Sequence, residues 1–175
     1  DSEDIEGGLD YILELGLKGV KVHPDLQQFA LNEGRAFKMG EAINERGLPI
    51  MIHCGDFRYN YSNPEHLKPF LEEFPDLTVI GAHFAGWSMW EKATEELAGT
   101  PNLFVDCSSS LYALSPETAK DLIHAYGADK VLWATDFPMW ESVSEMTMFN
   151  KIDLTEEERN LILYENAAKL LGLKE

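Results

Sequence analysis

The stretch Pro49-Ile50-Met51-Ile52-His53-Cys54-Gly55 decides how the rest of the chain is read. Three consecutive apolar residues without alternation indicate a short strand buried on both faces, and the run stops on a polar side chain, His53. Four other β-rich runs share this design, at 18–23, 77–83, 102–107 and 130–136. The five runs end at positions 23, 53, 83, 107 and 136, so the unit recurs every 24 to 30 residues. A parallel strand, its crossover helix and the return require about that length.

The intervening stretches carry helical stripes: Ile5, Leu9, Ile12 and Leu13; Leu67, Phe70, Leu71 and Phe74; Ala119, Leu122, Ile123 and Tyr126. Asn63-Pro64 and Ser115-Pro116 predict an N-cap followed by proline in the first turn, and Thr155 with Glu158 predicts a capping box. Gly16, Gly47, Gly127 and Gly172 are natural helix stops. The expectation is an α/β fold of parallel (β/α) units forming one domain over residues 1–175. A barrel and a doubly wound sheet satisfy the pattern equally.

Composition narrows the function. Lys plus Arg number 14 against 31 Asp plus Glu, giving a formal charge of −17, a field that repels phosphate backbones and anionic membrane surfaces. Neither nucleic acid nor membrane is an expected partner. No apolar run approaches the roughly 20 residues of a bilayer span, and the acidic start DSEDIEGG is not a signal sequence. Cys54 and Cys107, without CxxC spacing, read as reduced, buried thiols. A cytoplasmic protein is expected.

Four of the five runs end in a possible ligand: His23, His53, His83 and Asp136. In parallel α/β architectures the C-terminal edge of the strands is where sites are built. A single strand-end histidine is more often a satisfied polar residue than a ligand, whereas four such groups at one edge suit a shared metal or catalytic centre. A nucleotide-binding sheet is disfavoured, because KVHPDL stands where a glycine-rich phosphate loop would follow the first strand.

In order along the chain, GLKGVKVHP, PIMIHCG, VIGAHFAGW, NLFVDCSS, VLWATDFP and ENAAKLLGL resemble the later strands and last helix of the amidohydrolase-2 family. That family contains metal-dependent hydrolases and nonoxidative decarboxylases related to aminocarboxymuconate semialdehyde decarboxylase. The resemblance implies a partial TIM barrel, strands four to eight of an amidohydrolase-type (β/α)₈ barrel, with the first three strands lacking. It implies one divalent metal, Zn or Mn, held by His53 and Asp136, with His83 acting catalytically together with Asp136. Arg58 in GDFRYNYS is a candidate clamp for a substrate carboxylate, although a surface salt bridge is the commoner use of such an arginine; Trp87 and Trp90 are candidate pocket walls or helix-to-barrel packing residues, and His23 a structural or pocket-lining, substrate-binding residue. Lys21 is expected to fill the barrel rather than bind metal, and Asp106 to face the mouth or, equally, to meet solvent or a cap partner.

The family's first-strand His-x-His pair is absent from this sequence. Two protein ligands remain, fewer than the three or four of a tight zinc site, so the ion itself is open to absence in this chain. The implied activity is hydrolysis of a C–N or C–O bond of a small-molecule substrate by metal-activated water. Nonoxidative decarboxylation of an aromatic or related acid is the alternative, and a noncatalytic fragment or assembly subunit is a third. Unpaired strand edges predict either a homo-oligomer or a separately supplied N-terminal half.

Overall fold

A computed structural model describes residues 4–173. The chain begins with helix α1 (Ile5–Glu14), then β1 (Val20–Val22), the single turn α2 (Pro24–Gln27) and α3 (Gly34–Glu45). It continues through β2 (Ile50–His53), α4 (Pro64–Glu73), β3 (Val79–Ala82), α5 (Trp90–Leu97), β4 (Leu103–Asp106), α6 (Pro116–Tyr126) and β5 (Val131–Leu132). After α7 (Ser142–Phe149), α8 (Glu156–Asn160) and α9 (Asn166–Leu170) are joined by a π-helical turn at Leu161–Glu165.

All strand pairings are parallel, and the spatial order β1-β2-β3-β4-β5 follows the sequence without reversal. A doubly wound sheet reverses direction at a switch point, whereas a barrel does not, so the order favours the barrel family of topologies. Val22, Ile52, Gly81, Val105 and Val131 lie in register, and all but the glycine belong to the core shared with the helices. Leu67, Phe70, Leu71, Ala119, Leu122, Ile123 and Tyr126 bury the stripes seen in the sequence. Each large apolar side chain so removed from water contributes about 1.5–3 kcal/mol. Leu13 departs from its stripe and is exposed, since the contacts of α1 run through Leu9, Ile5 and Ile12.

The opposite face of the sheet is less closed than consecutive apolar residues imply. Lys21, Met51, Ile80 and Phe104 are in register there, with Lys21 exposed and Met51 and Phe104 half-buried. Burial on both faces therefore holds for β3 and β5 but not for β1 and β2.

The far edge of β5 is bonded to the C-terminal helices. Leu132 O accepts from Cys107 N and so faces β4, which turns the backbone groups of Val131 and Trp133 outward. Trp133 N–H donates to Ile162 O in the π-helical turn at 2.9 Å, and Val131 O accepts from Asn166 Nδ2 at 2.8 Å. The predicted caps form at Ser115, whose Oγ accepts from Thr118 N, and as a reciprocal box between Thr155 and Glu158. Asn63 does not cap α4 by its side chain: its Nδ2 donates instead to Tyr59 O and Asn60 Oδ1 in the preceding loop.

Candidate functional site

The strand-end residues converge. His23, His53, His83 and Asp136 line one cavity of about 530 Å³ at the C-terminal edge of the sheet, together with Lys21, Asp56, Arg58, Trp87, Tyr112 and Trp140. Trp90 stands apart from it and donates from Nε1 to Ser110 Oγ.

Backbone strain gathers at the same edge. Among the described residues, the non-glycine positions with left-handed φ are Gln28, His83, Phe84, Ala85, Ser88, Ser109 and Asp136. All but Gln28 lie in the loops that follow β3, β4 and β5. A left-handed conformation costs a non-glycine residue about 1–2 kcal/mol, and surrounding bonds must hold it. Asp106, 2% exposed, supplies several of these. Its Oδ1 accepts from His83 N at 3.2 Å, Ser108 N at 2.9 Å and Ser108 Oγ at 2.5 Å, while its backbone carbonyl accepts from Phe84 N at 2.7 Å. Tyr126 Oη donates to Phe84 O from behind.

These bonds determine which nitrogen of His83 carries the proton. Nδ1 lies 2.9 Å from Ser108 O and 3.0 Å from Ser108 Oγ. The Ser108 hydroxyl proton is directed to the Asp106 carboxylate, so both oxygens can only accept from Nδ1, which must be N–H. His83 Nε2 is then the lone-pair nitrogen, and it lies 3.1 Å from His53 Nδ1. Two lone pairs cannot face each other at that distance without a proton or a cation between them.

His53 closes β2 with its ring stacked on His23, centroids 3.8 Å apart and planes 10° from parallel. Burial, followed by the neighbouring His83, His23 and Lys21, pushes its pKa down to about 3, so it is a neutral donor set at physiological pH. His23 is also lowered, by burial against the opposing pull of Asp25. It caps α2, accepting weakly from Leu26 N at Nδ1. Asp136 is exposed at the mouth, with Oδ2 accepting from Ser109 Oγ at 2.7 Å; Ser109 Oγ in turn accepts from Trp140 Nε1.

Arg58 is bound by Asp56, through Nε to Oδ1 at 2.9 Å and Nη2 to Oδ2 at 2.7 Å. That bidentate bond holds the Asp56 carboxyl below its usual range. The Arg58 side chain remains 57% exposed, and its guanidinium lies 5.2 Å from the Trp87 ring centroid. Gly55 makes the Trp87 placement possible: its φ is +74°, and a Cβ there would sit 2.8 Å from Trp87 N.

Asp25, Asp56, Ser108, Ser109, Tyr112 and Trp140 had no signal in the sequence that set them apart. Asp25 and His53, with His23, offer ligand atoms within 4.8 Å of one another. Imidazole and carboxylate are suitable donors for a divalent ion, and the buried Asp25 Oδ1 and His53 Nε2 have no hydrogen-bond partner among the described residues. Cys54 and Cys107 are fully buried, burial raises both thiols, Cys107 to about 12, and neither lines the cavity.

The family model described as Amidohydrolase matches residues 5–173. No curated protein matches the sequence. Solved structures do. An uncharacterized TIM-barrel protein from Bordetella bronchiseptica is 26% identical with a TM-score of 0.83, the match covering 95% of this chain and 61% of that one. A candidate 2-pyrone-4,6-dicarboxylic acid hydrolase from Pseudomonas putida is 21% identical with a TM-score of 0.70, covering 100% and 70%. A dihydroxybenzoic acid decarboxylase from Polaromonas, solved with manganese and the inhibitor 2-nitroresorcinol, is 17% identical with a TM-score of 0.69, covering 96% and 65%. The chain thus spans roughly two thirds of the length of these proteins. Among the described residues no helix is long and apolar enough to cross a membrane.

Proposed function

We propose, from the premise that this chain belongs to the amidohydrolase family, that the cavity at its strand ends serves metal-assisted hydrolysis of a C–N or C–O bond in a small carboxylated substrate. The observation that carries this reading is His83: a buried imidazole whose Nδ1 proton is committed to Ser108, so that only Nε2 is available to move a proton. In this reading the described residues, 4–173, form one domain equivalent to barrel strands four to eight.

His53 and Asp136 would hold one ion, Zn or Mn, and that ion would supply Lewis-acid chemistry, polarising the scissile group and making water acidic enough to attack. His83 receives the proton at Nε2 and returns it to the leaving group, since Ser108 prevents the ring from turning. Asp136 keeps one carboxylate oxygen for the ion because Ser109 occupies only Oδ2. Arg58, preset by Asp56 beside Trp87, meets the substrate carboxylate at the rim, and His23 and Trp87 line its path.

Decarboxylation of an aromatic acid is the second reading. It draws support from the aromatic wall, where Tyr112 and Trp140 stack with centroids 4.8 Å apart, and from the Polaromonas likeness. The test is a panel of carboxylated lactones, amides and hydroxybenzoates incubated with the Zn- or Mn-supplemented chain, following both hydrolysis and CO₂ release. Turnover that is lost in His83→Gln at unchanged ion content supports the assignment, and CO₂ as product selects the second reading. Turnover unchanged in His83→Gln would refute the role of His83.

A further inference from the structure

Hydrophobic side chains left in water gather around the mouth of the cavity. Leu26, Phe57, Tyr59, Tyr112, Phe137 and Met139 are each between 45% and 73% exposed. Leu26, Tyr59, Tyr112 and Met139 also line the cavity, Phe57 sits between the lining residues Asp56 and Arg58, and Phe137 directly follows Asp136. Other exposed apolar residues, such as Leu13 and Tyr164, border none of it. On a chain with a formal charge of −17, an apolar collar around one opening marks a surface that is covered in use.

The collar is held in place before anything covers it. Tyr112 and Trp140 stack with centroids 4.8 Å apart and planes 21° from parallel, and Trp140 Nε1 donates to Ser109 Oγ at 2.9 Å. Phe57 N–H donates to Ser88 Oγ at 3.2 Å, which ties its loop to the one after β3. Apolar surface fixed in this way loses little freedom when a ligand lies on it.

Arg58 sets a cation into the collar. Asp56 takes Nε–H and one Nη2–H, so both Nη1 donors and the second Nη2–H remain for a ligand. The guanidinium lies 5.7 Å from the Tyr59 ring centroid and 5.2 Å from that of Trp87. An exposed cation there favours an occupant with a negative end over a purely apolar partner surface. Arg58 follows β2, Tyr112 follows β4 and Met139 follows β5, with His83 at the end of β3 between them.

We propose that this cavity takes an amphiphilic carboxylate: the carboxylate meets Arg58, the reacting bond lies over the histidines, and an alkyl or aryl arm leaves across Tyr112 and Met139. The inference rests on the proposed function for the carboxylate at Arg58 and adds the arm, which sets selectivity by the apolar surface it covers. A compact acid would satisfy Arg58 and the histidines and leave the collar in water.

The test is binding of straight-chain n-alkanoates, butanoate to octanoate, and of the matching n-alcohols to the full chain, followed by the indole N–H resonances of its four tryptophans. A methylene fully removed from water strengthens binding about fourfold and a half-covered one about twofold, so affinity should rise at least about tenfold from butanoate to octanoate. Trp87 and Trp140, which line the cavity, should shift, and Trp90 and Trp133 should not. Met139→Ser and Tyr112→Ser should each remove half or more of the rise and leave butanoate within about twofold of wild type. Arg58→Gln should weaken every alkanoate about tenfold, to the level of the matching alcohol, and keep the rise with length. The wild-type series with acids and alcohols guards against a variant that fails to fold. Affinity flat with chain length in wild type, or a rise kept in full by both serine variants, would overturn the proposal. So would a wild-type dimer in sedimentation that Met139→Ser dissociates, since a second copy would then be what covers the collar. Absence of turnover with the rise intact would refute the hydrolase reading and uphold the arm, whereas Arg58→Gln equal to wild type would refute the carboxylate placement that both share.

Discussion

Replacing Asp106 by alanine should release His83. The substitution removes the acceptor used by His83 N, Ser108 N and Ser108 Oγ, and all three donors lie in buried surroundings. Each orphaned donor costs about 1–3 kcal/mol, and relief of the left-handed backbone at His83 to Ala85 returns part of that, so a net loss of about 3–5 kcal/mol is expected. Against a total stability of ~5–15 kcal/mol this is a severe change, and at ~2–4 °C per kcal/mol it lowers Tm by roughly 6–20 °C. Asp106→Asn keeps an oxygen at Oδ1 and should cost about 1 kcal/mol. Urea and thermal unfolding followed by circular dichroism measure the stability, and imidazole ¹⁵N shifts report whether His83 keeps its proton on Nδ1. If Asp106→Ala lies within about 0.5 kcal/mol of wild type, then Asp106 does not organise this edge.

Three further outcomes follow from other parts of the fold. Glu145 on α7 is fully buried with neither oxygen partnered among the described residues, and burial alone raises its pKa. A raised folded-state value favours the native chain at acid pH and loses that contribution as pH climbs, so Glu145→Gln should gain on wild type as pH rises above the ordinary Glu range; a gap that stays flat in urea titrations over that rise would contradict it. Gly55→Ala forces alanine to a φ of +74° and brings its Cβ to 2.7 Å from Gly86 C, a change expected to cost about 2–4 kcal/mol in equilibrium unfolding; a near-neutral result would mean that the Gly86–Trp87 segment yields freely. Asn166→Ala strips the bonds to Ala128 O and Val131 O and should destabilise by about 1–3 kcal/mol, with faster hydrogen exchange at the Trp133 amide; unchanged exchange there would show that the edge of β5 does not depend on Asn166.

Much of the candidate site was legible before any coordinates, because strand ends are marked by local pattern. His23, His53, His83 and Asp136 each close an apolar run, and parallel strands with similar spacing must bring such ends to one edge. Asp25 and Asp56 were not legible, since each reads as an ordinary acid in a loop or first turn. Only the fold reveals that one is buried facing His53 and that the other holds Arg58.

The sequence by itself determined the α/β unit, the approximate strand positions, the buried helix stripes and the polar residues that terminate the strands, because periodicity and capping act over a few residues. Strand order, and with it the choice of barrel over doubly wound topology, depends on which edges pair and needed the tertiary structure. The same holds for the exposure of Lys21, for the bonding of the β5 edge by Ile162 and Asn166, and for the proton on His83. Those features are contacts between residues 20 to 40 positions apart, where local preference carries no information and packing geometry decides.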